Sequence, residues 1–541
     1  MSSTEDRAND ARRLGLMIEE RSTGQALAGA IPHLREAADL FAHEQRMVRK
    51  AECLIDLGRI HRRLAQPALA AAAFAEALVL VEDESDLTQA ITAASEGGLA
   101  LLAGGDHDPA LVMLKRAEAL ADKANDHLQL AQVRHDLAVC HIAGGDAVAA
   151  RQAALAALTT FTSFRKMLQR AACEERLAQA AIVAGETTEA ATRFAAAAAL
   201  MVEMARHSDA DGVFARWADF ERDRGAFDEA LAINRERVAR HEATGNRGLQ
   251  SHALLHVGMV LAKRQDNGEA LVTFRRSLAL CESAEDRAGM AQADYHIGAA
   301  LIRMGDGVEG LRRLMLAAEL ASECNDHRLE DEALAAIVRQ QRSTGDNSGA
   351  LLNLKRWSEV LRRTGDREHE IQALGELAEV GRKTGDFAHA EQALRDLIAA
   401  CSDTKHRSQL IDAHHHLGVL MVRRGDLDGG RDHLTQALLL LGDLPAYATR
   451  AQLQYRIGNI ALRQQDGATA LACLQSALAA NPDEKLRPRI LVDLGNAQVM
   501  LGQEDLAIGL FEQAAKVAEK QGDMRATQII RRGAGGLKKS S

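Results

Sequence analysis

Small, apolar and acidic positions recur along the chain with a fixed period, and this period predicts paired helices. Glycine returns every 40 residues, or every 80 where one repeat lacks it, at Gly105, Gly145, Gly185, Gly225, Gly305, Gly345, Gly385 and Gly425. An acidic residue often follows, as at Asp146 and Asp306. Glycine adopts the left-handed conformation that ends a helix, and aspartate accepts hydrogen bonds at the start of the next one. Each repeat is therefore predicted to hold two helices joined by a tight turn.

Three further columns share this period and predict how the two helices pack. A small residue lies seven positions before most turns, at Gly58, Gly98, Ala138, Ala178, Ala218, Gly258, Gly298, Ala378, Gly418 and Gly458. Another small residue lies five positions after the turn, and a large apolar residue follows four positions later, as in the pair Ala270 and Phe274. Residues four apart share a helix face. We therefore expect the small residues to let the two helices approach closely.

This pattern resembles the tetratricopeptide repeat. One repeat occupies almost every signature position, with Ile297, Gly298, Leu301, Gly305, Gly310, Leu314 and Ala317. The period of 40 rather than 34 residues is similar to the lengthened variant of spindle-orientation adaptors, kinesin light chains and MalT-like regulators. We expect the extra residues between the second helix of one repeat and the first helix of the next, as in residues 281–288. The resemblance implies an all-α, right-handed α-solenoid, or superhelix, of about 12–13 helix–turn–helix repeats.

Both ends of the chain depart from the regular repeat. Pro32 falls inside an expected helix, so we interpret residues 1–45 as an N-terminal cap and an atypical first repeat. The tandem repeats then extend over 46–521. Residues 522–541 are predicted to form a capping helix, ending near residue 532, and a loose basic tail.

Composition narrows the range of functions. Aromatic residues make up only 3% of the chain, which suits closely layered Ala-rich helices, and a net charge of −10 does not favour nucleic acid as a partner. The seven cysteines are scattered without a CxxC pair, which disfavours structural zinc and disulfides. The first residues lack the features of a signal peptide, and no apolar run is long enough for a bilayer. We therefore predict a cytoplasmic protein without metal, cofactor or membrane partner, of undetermined oligomeric state.

The resemblance implies that the first helix of each repeat lines the concave groove, which in this family receives a peptide or a helix. In the N-terminal half this surface offers the apolar stripe Leu99, Leu102, Val139 and Ile142. Such a stripe is typical either of ordinary helix packing or of a groove for an amphipathic partner helix. In the C-terminal half, cations two residues before the turn include Arg303 and Arg463. They either complement the helix dipole or form a track for an acidic peptide.

Aromatic, amide and imidazole side chains complete the candidate binding residues. Tyr295 and Tyr455 occupy equivalent positions on the first helix, and Asn459 and Asn496 match each other one repeat apart. Tyrosine is favoured at interfaces because it combines apolar area with a polar tip. The histidines His252, His256 and His296 admit a metal site, peptide contacts or plain surface, of which the metal site is least favoured.

No P-loop, dinucleotide-binding glycine motif or nucleophile elbow is found in the sequence, which therefore predicts no enzyme. The favoured function is a non-catalytic protein-interaction scaffold or adaptor that binds a peptide or helical partner. The alternative is a ligand- or peptide-responsive regulator that acts in trans on a signalling enzyme or transcription factor. A helical enzyme is the least favoured of the three.

Overall fold

The computed structural model describes residues 4–21, 24–401, 404–442, 444–480 and 482–540, and these residues form helices and turns without a strand. The chain divides into two compact units, Met1–Asp266 and Asn267–Ser541. Each unit is an all-α solenoid in which successive helices pack antiparallel on their neighbours.

The helices of the first unit are α1 (Thr4–Arg21), α2 (Ala30–His43), α3 (Met47–Arg63), α4 (Pro67–Val81), α5 (Thr88–Ala103), α6 (His107–Lys123), α7 (His127–Ala143), α8 (Ala147–Ser163), α9 (Met167–Val183), α10 (Thr187–Glu203), α11 (His207–Asp223), α12 (Phe227–Thr244) and α13 (Arg247–Lys263). Those of the second unit are α14 (Asn267–Ser283), α15 (Arg287–Arg303), α16 (Gly307–Glu323), α17 (His327–Thr344), α18 (Asn347–Thr364), α19 (Arg367–Thr384), α20 (Phe387–Ala400), α21 (Arg407–Arg424), α22 (Leu427–Leu441), α23 (Tyr447–Arg463), α24 (Gly467–Ala479), α25 (Arg487–Met500), α26 (Glu504–Lys520) and α27 (Met524–Ser540). Odd-numbered helices are the first helices of the predicted repeats, and even-numbered helices are the second.

The repeat contains two nearly equal helices, so the extra residues of the 40-residue period do not form a loop. Helix α14 continues to Ser283 and α15 begins at Arg287, each with 17 residues. The expectation of added residues between helices, over 281–288, is therefore wrong. The additional residues lengthen the helices, and turns of the same kind follow both of them.

A left-handed residue closes the helix at each regular turn. Positive φ recurs every 20 residues in stretches such as Glu285, Gly305, Asn325, Gly345, Gly365 and Gly385. The glycines predicted from the 40-residue period account for the turns from a first to a second helix. Gln265 and Gln465 adopt the same conformation where that glycine is missing. Side chains such as Asp306 then accept a hydrogen bond from the third residue of the next helix, as expected for an N-cap.

The predicted packing columns are buried between the helices. A Cβ atom at Gly298 would lie 2.8 Å from the carbonyl oxygen of Gly310, so α15 and α16 approach through two facing glycines. The large apolar column is buried throughout, with Phe74, Phe274, Leu314 and Leu354 completely shielded from solvent. Close backbone approach and large side chains on one helix face together make up the core of each unit.

First helices lie closer to one another than second helices do. Within the first unit α3 contacts α5, α5 contacts α7 and α7 contacts α9, whereas neighbouring second helices make fewer such contacts. In the second unit α15 contacts α17, and α23 contacts α25. The first helices therefore lie on the inner side of each curved layer. We call this surface the first-helix face.

The ends of the chain are helical. Pro32 lies in the first turn of α2, where the lack of an N–H group costs little, so it does not interrupt a helix. Helix α27 continues to Ser540, beyond residue 532 where the sequence predicted a loose tail. Residues 1–3 and 541 lie outside the described residues. The boundaries at 45/46 and 521/522 stay predictions.

One charged cluster is buried between α11 and α12. Arg237 is fully buried and donates to both carboxylate oxygens of Asp211, each over 2.8 Å. Nε2 of His241 lies 2.7 Å from the same carboxylate. Burial raises the pKa of Asp211, but the hydrogen bonds and charge of Arg237 and His241 outweigh it and hold this pKa below its usual value. Within the described part of the chain, no helix has the length and apolar character needed to cross a membrane.

Candidate partner-binding face

The apolar stripe of the N-terminal half is only partly accessible. Leu99 and Leu102 on α5, and Val139 and Ile142 on α7, are all half-buried. Leu102 also packs against the core that links α2 to α7. These four side chains contribute both to helix packing and to the first-helix face, so the two interpretations of the stripe both stay open.

Polar groups beside this stripe are paired within the protein. Nη2 of Arg59 on α3 donates to Glu96 on α5 over 2.7 Å. The hydroxyl of Ser95 donates to the buried carboxylate of Asp136 on α7 over 2.9 Å. These bonds join consecutive first helices, and they leave little unpaired charge on this part of the face.

The histidines that the sequence grouped together have different immediate surroundings. His252 and His256 on α13 lie with their rings 4.8 Å apart, and Nδ1 of His256 is 3.4 Å from a carboxylate oxygen of Asp219. The ring of His296 on α15 stacks instead on Phe274, with centroids 5.1 Å apart. Within the described ranges, no group of three or more His, Cys, Asp or Glu residues is arranged to hold a metal ion.

Tyr295 is a half-buried residue of the helix packing. It packs beside a small apolar cluster of Ala291, Ala321 and Leu329, which joins α15, α16 and α17. Burial raises the pKa of its hydroxyl, so the group is a neutral phenol at neutral pH. Part of its ring still reaches the first-helix face.

Tyr455, Asn459 and Asn496 converge on one carboxylate that the sequence analysis did not single out. Nδ2 of Asn459 donates to Asp493 on α25 over 3.1 Å, and Nδ2 of Asn496 donates to its other oxygen over 3.3 Å. The hydroxyl of Tyr455 lies close enough to interact electrostatically with this carboxylate. Burial and the Asp493 charge raise the pKa of Tyr455 to about 12. Asp493 lies nine residues before its turn, the position that Arg456 occupies one repeat earlier. The repeat register of the sequence could therefore have identified Asp493 as a residue of a first helix.

Tyr455 and Asp493 border an open cleft between α23, α25 and α27, and Asn459 and Asn496 contact Asp493 beside it. The cleft has a volume of about 670 Å³, and its lining includes Tyr455, Pro488, Arg489, Val492, Asp493 and Ile530. Apolar walls with a few convergent polar groups are characteristic of binding clefts. The structure thus brings three of the predicted binding residues to one place, next to a cavity that the sequence did not indicate.

The predicted row of cations does not act as one continuous track. Arg303 and Arg463 are exposed. Lys383, in the same row, donates to Glu379 over 2.6 Å, and the guanidinium of Arg423 lies over the Phe387 ring at 5.8 Å from its centroid. Members of the row therefore differ in their partners.

A second group of basic side chains, which shares Arg423 with that row, meets on α19, α21 and α23. We call it the cationic cluster: Arg382, His415, His416, Arg423 and Arg456. Arg382 donates to Nδ1 of His416, and the rings of His415 and His416 stack with centroids 5.1 Å apart. Burial and the charges of Arg382 and Arg456 lower the pKa of each of these histidines to about 4. Both imidazoles are therefore neutral at neutral pH.

Comparison with known proteins agrees with the repeat architecture. Residues 449–520, which span α23 to α26, match the model of the tetratricopeptide repeat family. This stretch is therefore similar to tetratricopeptide repeats. The match falls on the stretch that contains Tyr455, Asn459, Asp493 and Asn496. No curated protein matches the chain.

Several solved structures resemble parts of this chain. MamA has 19% identity over 36% of this chain and 94% of its own, with a TM-score of 0.29. A putative kinesin light chain of Podospora anserina with TPR-like repeats has 16% identity over 38% of this chain and all of its own, with a TM-score of 0.34. The apo form of RapI has 12% identity over 66% and 99%, with a TM-score of 0.31. None of these values bears on function.

Proposed function

We propose that this chain is a tetratricopeptide repeat protein that acts as a non-catalytic interaction scaffold and binds a peptide or helical segment of another protein on the first-helix face. The observation that carries the proposal is the cleft of about 670 Å³ bordered by Tyr455 and the Asp493 cluster. An aromatic ring, amide groups and an apolar wall provide both contact area and hydrogen bonds for a polypeptide. Repeat proteins characteristically use such extended inner surfaces for binding.

The arrangement around Asp493 favours recognition of a backbone. Asn459 and Asn496 each use an amide N–H group on Asp493, which orients both side chains. An amide that donates in this way keeps its carbonyl oxygen as an acceptor. A half-buried tyrosine beside oriented amides loses little conformational entropy on binding.

The cellular setting is part of the same proposal. All seven cysteines lie in the described part of the chain, and all are free. Reduced thiols are typical of cytosolic proteins. We accordingly propose a cytoplasmic partner.

A second candidate function is a regulator that changes its interactions when a small ligand binds. The same cleft favours it, because small-molecule sites commonly have volumes of about 300–1,000 Å³. In this case the cleft at Asp493 receives the ligand, and the protein partner contacts another part of the first-helix face.

Affinity capture from native lysate with quantitative mass spectrometry tests the first proposal. The test variant is Tyr455→Ala/Asn459→Ala/Asn496→Ala. The matched control is Leu352→Ala/Leu439→Ala/Leu506→Ala, which removes three side chains that are 71%, 66% and 55% exposed on second helices of the same unit. We expect the amount of captured partner to fall at least about tenfold with the test variant and to stay unchanged with the control. Residues at the centre of an interface carry most of the binding energy.

The other outcomes are equally informative once circular dichroism shows that both variants are folded. A partner retained by the test variant but lost by the control would place the interface on the second helices and contradict the proposal. If both variants retain every partner, the Asp493 cleft is not the protein-binding site. A metabolite that raises the melting temperature of the wild type but not of the test variant would then favour the regulator.

A further inference from the structure

The guanidinium groups of the cationic cluster lie close together and lack carboxylate partners. Within the described residues, no carboxylate lies at ion-pair distance from Arg382, Arg423 or Arg456. Arg382 donates to a neutral histidine, and Arg423 lies over a phenylalanine ring. Neither contact neutralises a charge. By contrast Arg59 and Arg216, on first helices of the other unit, are paired with Glu96 and Glu175.

Most carboxylates near the cluster are already bound by other cations. Glu379 accepts from Lys383 over 2.6 Å and from Arg342 over 3.4 Å. Glu376 accepts from Arg342 over 2.7 Å, and Glu368 from Lys405 over 2.6 Å. Asp412 is the neighbouring carboxylate without such a bond among the described residues. Three guanidinium groups against one carboxylate leave this part of the face with excess positive charge.

The surroundings of these arginines disfavour their charged forms. Burial and the charge of Arg423 lower the pKa of Arg456, and burial is also the main cause of the lowered pKa of Arg382. Both groups stay protonated at neutral pH, but they are less well solvated than free arginines. A bound anion would relieve both the repulsion and the loss of hydration.

We propose that the cationic cluster binds carboxylate side chains of an acidic segment in the partner polypeptide. The inference rests on the function proposed above and names the chemistry of the partner at this site. Guanidinium groups recognise carboxylates through two parallel hydrogen bonds. Since Arg382, Arg423 and Arg456 come from three consecutive first helices, the cluster fits an extended segment that crosses several repeats.

The surroundings of the cluster favour a short acidic peptide over a long polyanion. The adjoining cleft of about 580 Å³ contains Arg382 and His416, but Glu376, Glu379 and Asp412 also line it. The whole chain carries a net charge of −10. The carboxylates of this cleft interrupt the positive surface, so it does not offer the continuous row of cations that the phosphate backbone of a nucleic acid needs.

Fluorescence anisotropy with the full chain and a capped, fluorescein-labelled octaglutamate peptide tests this proposal. The test variant is Arg382→Gln/Arg423→Gln/Arg456→Gln. The control Arg235→Gln/Arg275→Gln/Arg276→Gln removes the same charge from exposed positions on second helices. We expect binding to weaken at least about tenfold in the test variant and to stay unchanged in the control, because the loss is local rather than a net-charge effect. Binding of the wild type should also weaken at about 0.3 M salt.

Two further variants separate charge from folding. Arg423→Lys/Arg456→Lys keeps the charge and should retain most of the salt-dependent binding, although it loses the planar contact. Asp412→Asn removes the one neighbouring carboxylate without a bonded cation and should strengthen octaglutamate binding. Both results would be unexpected if the arginines acted only by stabilising the helices.

Four results would overturn the inference. Binding of octaglutamine as tight as that of octaglutamate would show that charge has no role. Equal weakening in the test and control variants would show a general effect of net charge. Arginine-dependent binding of a labelled oligouridylate, tighter than that of octaglutamate, would assign the cluster to nucleic acid. If octaglutamate fails while partner capture still depends on Tyr455, the inference is wrong and the proposed scaffold function stands.

Discussion

At the residue scale, backbone conformation at the turns does not depend on glycine alone. Turns that follow a first helix mostly use glycine, whereas turns that follow a second helix place Asn125, Arg165, Ala205 or Glu285 in the left-handed region. A side chain in this conformation costs about 1–2 kcal/mol relative to the right-handed one. The packed helices on both sides supply the stabilisation that enforces it. The glycines that recur every 40 residues therefore indicated only about half of the turns.

The first prediction concerns Ala205, whose φ is 53°. Ala205→Gly should raise the free energy of unfolding by roughly 0.5–1 kcal/mol, because glycine adopts this conformation without a Cβ clash. Ala72→Gly, at an exposed position inside α4, should instead lower it by about 1 kcal/mol. Urea denaturation followed by circular dichroism measures both changes. Destabilisation of similar size in the two variants would contradict the assigned turn conformation.

At the element scale, each second helix stabilises the layer through its large apolar column. Phe274 on α14 is fully buried and stacks on His296 of α15. Leu314 on α16 meets the backbone of Gly298 in the first helix of its own pair. The second helices thus pack on first helices, while their exposed side carries isolated apolar residues such as Val272 and Leu352. Single exposed residues of this kind are normal on a protein surface.

The second prediction tests this column at Phe274. Phe274→Ala should destabilise the protein by about 3–5 kcal/mol, since a fully buried aromatic side chain is lost and a cavity is left. The matched control is Val272→Ala on the same helix, where the side chain is 60% exposed and the change should be below about 0.5 kcal/mol. Thermal denaturation compares the two variants. Equal melting temperatures would show that the column does not carry the packing.

At the scale of the whole molecule, the core is a series of clusters along each unit. One cluster links residues from Leu27 to Cys140, and another links residues from Ala171 to Ile233. Helices contact their neighbours and, at several steps, the next helix but one. Stability in such an array is approximately a sum of repeat and nearest-neighbour terms. A local defect is therefore expected to have a local effect.

The third prediction follows from this nearest-neighbour organisation. Phe74→Ala should speed amide hydrogen exchange in α3 to α6, because Phe74 is completely buried between these helices. Exchange in α11 and α12, farther along the same unit, should change little. Peptide-resolved mass spectrometry measures both regions. Uniformly faster exchange across the unit would indicate one cooperative core instead.

The sequence alone determined the helix pairs, their register and the buried columns, because helical periodicity and turn chemistry are local properties. It also identified Tyr455, Asn459 and Asn496 as candidates, although their role in binding stays a proposal. It did not reveal the bond from Arg237 to Asp211, the convergence on Asp493 or the cationic cluster. Each of these joins side chains on different helices. Which side chains meet depends on how far one helix is rotated against the next, and only the stacked tertiary structure decides that angle.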